Sequence, residues 1–269
     1  MQVAIAATAE VYPTKLGGPM TMLTTTRAEN ISAHATVLMR VDGLSKRYGD
    51  QQALADVSFD VRSNEIVGLI GPNGAGKTTL LEAIAGLIPV DSGAVLWRHN
   101  ALPFGRRRDS IFFLPDGLRP WQEQHVLHVL EFFAAVYHRP SVVLGNTIQL
   151  LGLSPVLRQR VAALSKGFCR RVMLALALLT PHPLLLMDEP FDGFDLRQTR
   201  EMMDVLREAA AGGRTLVLAI HQLIDAERMC DRFVLLAGGR VRGTGTLDEL
   251  RKRSGQIGAG LEDVFLALT

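Results

Sequence analysis

Short, almost wholly apolar runs recur along the chain: Glu65–Ile70, Leu184–Met187, Thr215–Ile220 and Arg232–Leu236. Runs of that length without polar alternation suit the strands of a parallel sheet covered on both faces. Stretches with helical spacing lie between them. Thr78–Leu87 is one, closed by Pro89. Gln124–Tyr137 is another, with Val126, Leu127, Val129, Leu130, Phe132 and Phe133 on its apolar side. Val172–Leu179 reads as a buried helix stopped by Pro181 and Pro183. Near the start, Val37–Leu44 and Leu54–Val61 read as β segments joined by a polar turn around Gly49–Gln52. The alternation of strands and helices predicts an α/β fold built on a parallel sheet.

Residues 1–36 lack sustained periodicity and carry Pro13, Gly17, Gly18, Pro19 and the run Thr24–Thr26. They are expected to be a poorly ordered extension, with order beginning near Val37. Met20, Met22 and Met39 stay open as alternative starts. The basic run Arg106–Arg108 reads as a solvated turn. No internal repeat is evident.

Composition narrows the class. The 269 residues are 48% hydrophobic and 21% charged, as in ordinary globular chains. The net charge of +2 is too balanced for a chain held to nucleic acid by bulk electrostatics. Cys169 and Cys230 stand in no metal-type spacing and form no disulfide framework. Each is expected to be a small buried hydrophobe. The longest purely apolar run, Val172–Leu179, falls far short of the roughly 20 residues a bilayer span needs. The N-terminus shows no basic cluster ahead of an apolar stretch, so no secretory signal is expected.

Candidate chemistry begins directly after the Glu65–Ile70 strand. Gly71-Pro72-Asn73-Gly74-Ala75-Gly76-Lys77-Thr78 fits G-x-x-x-x-G-K-[ST], with a strand before it and a helix, starting Thr78-Thr79, after it. Glycines let backbone N–H groups turn inward around phosphates. The helix that follows presents its positive end to the same phosphates. Lys77 reaches β- and γ-phosphate oxygens, and the Thr78 hydroxyl suits Mg²⁺. A second constellation closes the strand Leu184–Met187: Asp188 and Glu189. Asp188 stands at the carboxyl edge of the sheet, where it would hold Mg²⁺. Glu189 would orient or deprotonate an attacking water.

These motifs together resemble the ATP-binding subunits of ABC transporters, over about Val37 to Thr269. Tyr48 stands where that family has an aromatic that stacks on adenine. Leu164-Ser165-Lys166-Gly167-Phe168 looks like the signature segment, usually LSGGQ. Asp195, in Asp192-Gly193-Phe194-Asp195, matches the D-loop aspartate. His221, after the Thr215–Ile220 strand, matches the switch histidine, with a γ-phosphate role. The resemblance implies a P-loop NTPase core with an N-terminal antiparallel β subdomain, and a helical subdomain over about 117–168. It implies ATP and Mg²⁺ as ligands. It further implies a head-to-tail dimer of identical subunits, in which Ser165, Lys166, Gly167 and Phe168 act on the partner subunit's ATP. A separate membrane permease would receive the motion through the region after Leu114. The chain would then lie at the cytoplasmic face of the membrane, with no nucleic acid involved.

Three residues depart from the family pattern. Lys166 replaces the first signature glycine and Phe168 replaces the glutamine. Lysine at that place also occurs in exporter-type members, and the ending Leu261-Glu262-Asp263-Val264-Phe265-Leu266 resembles that group too. Asp116, in Ile111-Phe112-Phe113-Leu114-Pro115-Asp116, stands where the Q-loop glutamine is usual. As a carboxylate it would add a third oxygen ligand to the metal set of Thr78 and Asp188, and a negative charge near the γ-phosphate. The leading expectation is an ATPase subunit driving export through a permease. A soluble ABC-type ATPase acting on DNA or ribosomes is the alternative, but such proteins usually carry two ATPase modules or a long coiled coil. A regulator that binds ATP without turnover is a third reading, opposed by intact Lys77, Asp188, Glu189 and His221. Asp116→Gln is expected to change steady-state ATP turnover while leaving ATP affinity within a few-fold. Unchanged turnover in that variant would remove Asp116 from the site.

Overall fold

The computed structural model describes residues 36–269, so the expected extension lies outside the described residues, Thr36 apart. Two sheets organise the chain. The first is antiparallel, with strand order β2-β1-β4-β5, built from β1 (Val37–Tyr48), β2 (Gln51–Arg62), β4 (Ser92–Trp97) and β5 (Asn100–Ala101). The second has six strands in the order β10-β9-β3-β8-β7-β6. They are β3 (Ile66–Ile70), β6 (Ile111–Leu114), β7 (Leu184–Asp188), β8 (Thr215–Ala219), β9 (Arg232–Ala237) and β10 (Arg240–Gly245). Five of them run parallel, and only β10 pairs antiparallel, with β9.

The apolar runs form strands because both faces of the second sheet are covered. Val67, Leu69, Leu184, Leu186, Val217 and Leu236 pack toward the antiparallel sheet and α1 (Lys77–Ala85). Their neighbours Ile66, Leu185, Met187, Leu216, Leu218 and Leu235 pack on the opposite side. A strand with period-two side chains and two buried faces has no polar position to spare. On that opposite side lie α2 (Val126–Val136), α3 (Ser141–Leu150), α4 (Lys166–Leu179), α5 (Leu196–Ala211), α6 (Leu223–Met229), α7 (Leu247–Ser254) and α8 (Leu261–Leu268). Val126, Leu130, Leu151, Leu153 and Val161 are continuous with this core, so α2, α3 and the 3₁₀ turns Ser154–Val156 and Val161–Ala163 share it with α4.

Several expectations hold. Gln124–Tyr137 contains α2, and Val172–Leu179 is the buried body of α4. β1 and β2 are longer than their apolar segments, and only Gly49 and Asp50 remain as the turn. Of the two cysteines, Cys169 is buried and Cys230 is half-buried. Burial pushes the Cys230 thiol well above its ordinary value. The basic run is the correction. Residues 104–109 form a 3₁₀ turn in which Arg107 is buried, not solvated. Its guanidinium donates to the Ala83 carbonyl at the end of α1 and to Leu102 O at 3.4 Å. The terminal carbonyls of a helix need partners, and here a guanidinium supplies one.

His182 shows the same reliance on burial. Its ring packs against Phe112 and Tyr137, and Nε2 lies 2.9 Å from Arg108 O. Burial holds its pKa below the ordinary 6.5, so the folded chain prefers the neutral ring. The unfolded chain then binds the extra proton more readily. The contribution of His182 to stability is therefore expected to be full above pH 6.5 and to be lost as pH drops below it. Urea melts across pH on the wild-type and His182→Phe chains check this: the dependence should flatten in the variant.

Candidate functional site

The candidate residues collect at the carboxyl ends of the parallel strands, where open α/β sheets place their ligands. The loop Gly71–Gly76 leaves β3 and turns directly into α1. Two of its glycines are sterically required. A Cβ on Gly71 would strike the Leu236 carbonyl. Gly76 holds φ +102°, and a Cβ there would lie 2.6 Å from Ala53 O. The loop is thus wedged between β9 and the start of β2. Gly239 N–H donates to Ala75 O, and Ala55 N–H donates to Gly239 O, tying the same three segments together.

Lys77 is buried, and Nζ donates to Gly71 O at 2.7 Å and Pro72 O at 3.3 Å. The ammonium is thereby fixed across the mouth of the loop. Thr78 lies in the first turn of α1 and donates its Oγ1–H to Asp188 Oδ2 at 2.6 Å. Since α1 packs on β6 and β7, this bond reaches the end of β7 past the intervening β8. Burial raises the Asp188 pKa, the nearby Asp116 charge adds to the rise, and the Thr78 hydrogen bond opposes it. A hydroxyl and a carboxylate sharing one hydrogen bond are hard oxygen donors of the kind Mg²⁺ takes alongside phosphate and water. The residues present therefore fit a magnesium nucleotide. Among the described residues, no three His, Cys, Asp or Glu side chains form a metal cluster by themselves.

Glu189 follows directly. Its backbone sits at φ +48°, a left-handed conformation uncommon outside glycine and costly enough to be confined to well-supported sites. Three bonds support it. Glu189 N–H donates to Ala219 O, Asp192 N–H donates to Glu189 O, and His221 N–H donates to Glu189 Oε2 at 3.1 Å. Burial raises the Glu189 pKa, while the His221 N–H and the Lys77 charge oppose that rise. A cleft of about 350 Å³ opens here, lined among others by Asn73, Glu189, Gly193, Phe194, His221 and Gln222. The structure thus brings the phosphate loop, the carboxylate after β7, the D-loop glycine and His221 to one cavity.

Tyr48 and Ser165–Phe168 are not in that cavity's lining. Tyr48 is exposed at the tip of the β1–β2 hairpin, with the Lys46 ammonium 5.2 Å from its ring centre. The same hairpin contacts Gly76 through Ala53, so Tyr48 is joined to the phosphate loop by β2. Ser165 caps α4, its Oγ accepting from Phe168 N–H at 3.3 Å. Gly167 packs against Gly193 and Gln198. Asp195 caps α5 in a reciprocal capping box with Gln198. Asp195 therefore has a structural task that the motif match did not reveal.

Two findings were not legible in the sequence. Lys166 Nζ lies 2.7 Å from Asp192 Oδ2 in the same chain, which lowers the Asp192 pKa. Asp116 is not joined to Thr78 and Asp188: its Oδ1 is held by Arg170 Nη2 at 2.5 Å. Arg170, almost wholly buried, was not among the candidate residues. Its only sequence signal is its place one turn after Lys166.

Comparison with known proteins identifies the family. The family model for ABC transporters matches residues 54–192. The ABC-type transporter ATP-binding protein EcsA of Bacillus subtilis is 33% identical over 240 residues, covering 86% of this chain and 96% of that one. The Nod factor export ATP-binding protein I of Ralstonia nicotianae is 33% identical, covering 86% and 73%. The daunorubicin resistance ATP-binding protein DrrA3 of Streptomyces coeruleorubidus is 33% identical, covering 82% and 72%. A solved ATP-binding subunit of an ABC transporter superposes with a TM-score of 0.79 at 34% identity, covering 86% of this chain and 99% of that one. The chain belongs to the ABC transporter family, as an ATP-binding subunit with the P-loop α/β fold of that family.

Gly76→Ala tests the loop geometry. Both the positive φ and the Ala53 carbonyl oppose a methyl there. Titration calorimetry with ATP is expected to show affinity lost at least about tenfold, while circular dichroism keeps the α/β signature. Wild-type affinity in that variant would contradict the close packing of the loop.

Proposed function

We propose that the chain hydrolyses ATP with Mg²⁺ and couples binding and hydrolysis to transport by a separate membrane permease, in the export direction. The convergence of Lys77, Thr78, Asp188, Glu189 and His221 on one sheet edge carries this reading. In it, Gly71, Pro72, Asn73, Gly74, Ala75, Gly76, Lys77, Thr78 and Thr79 cradle the phosphates, and Tyr48 stacks on adenine. Thr78 and Asp188 hold Mg²⁺, which supplies positive charge to the phosphate oxygens when bound. Lys77 neutralises the β- and γ-phosphates. Glu189 positions the attacking water and accepts its proton, and a carboxylate with a raised pKa is the better base. His221 contacts the γ-phosphate. No covalent intermediate is required, because positioning and charge neutralisation carry the rate.

The reading includes a head-to-tail pair of subunits. Ser165, Lys166, Gly167 and Phe168 open a 14-residue helix whose positive end suits a phosphate presented by the partner. Asp195, in its capping box, fixes the approach of that segment. The permease would engage the apolar groove of about 460 Å³ that follows β6, lined by Phe113, Leu118, Trp121, Phe133 and Leu176 among others. Among the described residues no helix is long and apolar enough to cross a membrane, which accords with a peripheral subunit at the cytoplasmic face. The names of the Nod factor export and daunorubicin resistance relatives support export. So do Lys166 and the Leu261–Leu266 ending.

Glu189→Gln provides the test. Steady-state ATP hydrolysis should fall by about a thousandfold or more, and ATP should hold the variant as a dimer on size exclusion. Hydrolysis at the wild-type rate would remove Glu189 from its role.

A further inference from the structure

Asp116 and Arg170 are 54 residues apart in sequence, yet they make an ion pair at the junction of three segments. Asp116 stands in the stretch that leaves the sheet edge after β6. Arg170 sits near the start of α4, and its Nε donates to the Asp192 carbonyl at 3.3 Å, in the turn after Glu189. Lys166 lies one helical turn earlier, on the same face of α4, and bonds the Asp192 carboxylate at 2.7 Å. Its aliphatic stem covers Gly193. Two basic side chains of one helix thus bind it to the segment after β6 and to the segment after β7.

The burial of the pair is unequal. Arg170's side chain is 8% exposed and Asp116's is 47%. A guanidinium that deep, with a carbonyl as its other partner, needs the carboxylate as counter-charge. The carboxylate in turn is held by one oxygen and remains reachable from the surface. Asp116, Lys166, Arg170 and Asp192 line a cavity of about 290 Å³ that shares Leu118, Arg119 and Met173 with the apolar groove after β6. Leu118 and Arg119 follow Asp116 by two and three positions.

We propose that Asp116 is a positioning residue acting through Arg170, not a metal ligand. The pair ties the segment after β6 to the N-terminus of α4, and the bonds of Arg170 and Lys166 to Asp192 tie the same helix to the turn after Glu189, so the pair sets where Ser165–Phe168 stands. This rests on the ATPase reading above and deepens it. Substituting glutamine at 116 would cancel the counter-charge that Arg170 requires.

The test is a double-mutant cycle on the full chain: Asp116→Asn, Arg170→Met and both together. Each single change should lower kcat by about tenfold with KM for ATP within about threefold, and the double variant should be no slower than the slower single. Arg170→Lys should recover most of the loss. The Mg²⁺ concentration that gives half-maximal rate should not move. Multiplying effects in the double variant, or a raised Mg²⁺ requirement confined to Asp116→Asn, would overturn the proposal. Hydrogen exchange of the Gly117–Arg119 amides reads the pair without turnover. Both single variants should speed that exchange by about tenfold, and unchanged exchange would equally overturn it. A wild-type chain with no turnover would instead overturn the ATPase reading, and exchange would still decide whether the pair holds.

Discussion

The hydrogen bond from Thr78 to Asp188 is the joint on which the site depends. It links the first turn of α1 to the end of β7, with β8 lying between β7 and the strand that leads into the phosphate loop. Holding it requires parallel strands that end together, and a helix packed flat across their neighbours. The apolar strands meet that requirement by burying both faces of the sheet. The loop meets it by using glycine where the Ala53 and Leu236 carbonyls leave no room. Local backbone, sheet topology and core packing all converge on one pair of oxygens.

Charge is arranged around that pair in a definite order. Asp188 and Glu189 are adjacent acids, both pushed toward the protonated form by burial. Lys77 offsets this from the loop, and the His221 backbone offsets it at Glu189. The Lys166–Asp192 and Arg170–Asp116 pairs form an outer ring. The Asp116 charge adds to the rise at Asp188, and Arg170, bonded to Asp116, opposes it.

Much of this was legible in the sequence because it is local. β7, β8 and β9 show as apolar runs, and the phosphate loop shows as eight contiguous residues between a strand and a helix. The caps at Ser165 and Asp195 emerged only with the structure, since both residues were read for the family motifs they match. The exposed ends of β1 and β2 were missed, since their polar residues extend the hairpin beyond the apolar core. Arg107 was misread because a run of charges hides which one turns inward. That choice is made by the end of α1, 24 residues earlier in the chain. The Asp116–Arg170 pair joins two segments that only the packing of α4 on β6 brings together. No local pattern encodes it.

In the proposed function, this sheet edge hydrolyses ATP only when a second subunit completes it. Specific ATPase activity measured against protein concentration tests this most directly, with sedimentation run on the same samples. The account predicts specific activity that rises with concentration and levels off as the dimer fills. Activity that stays constant across concentrations where the chain sediments as a monomer would contradict it.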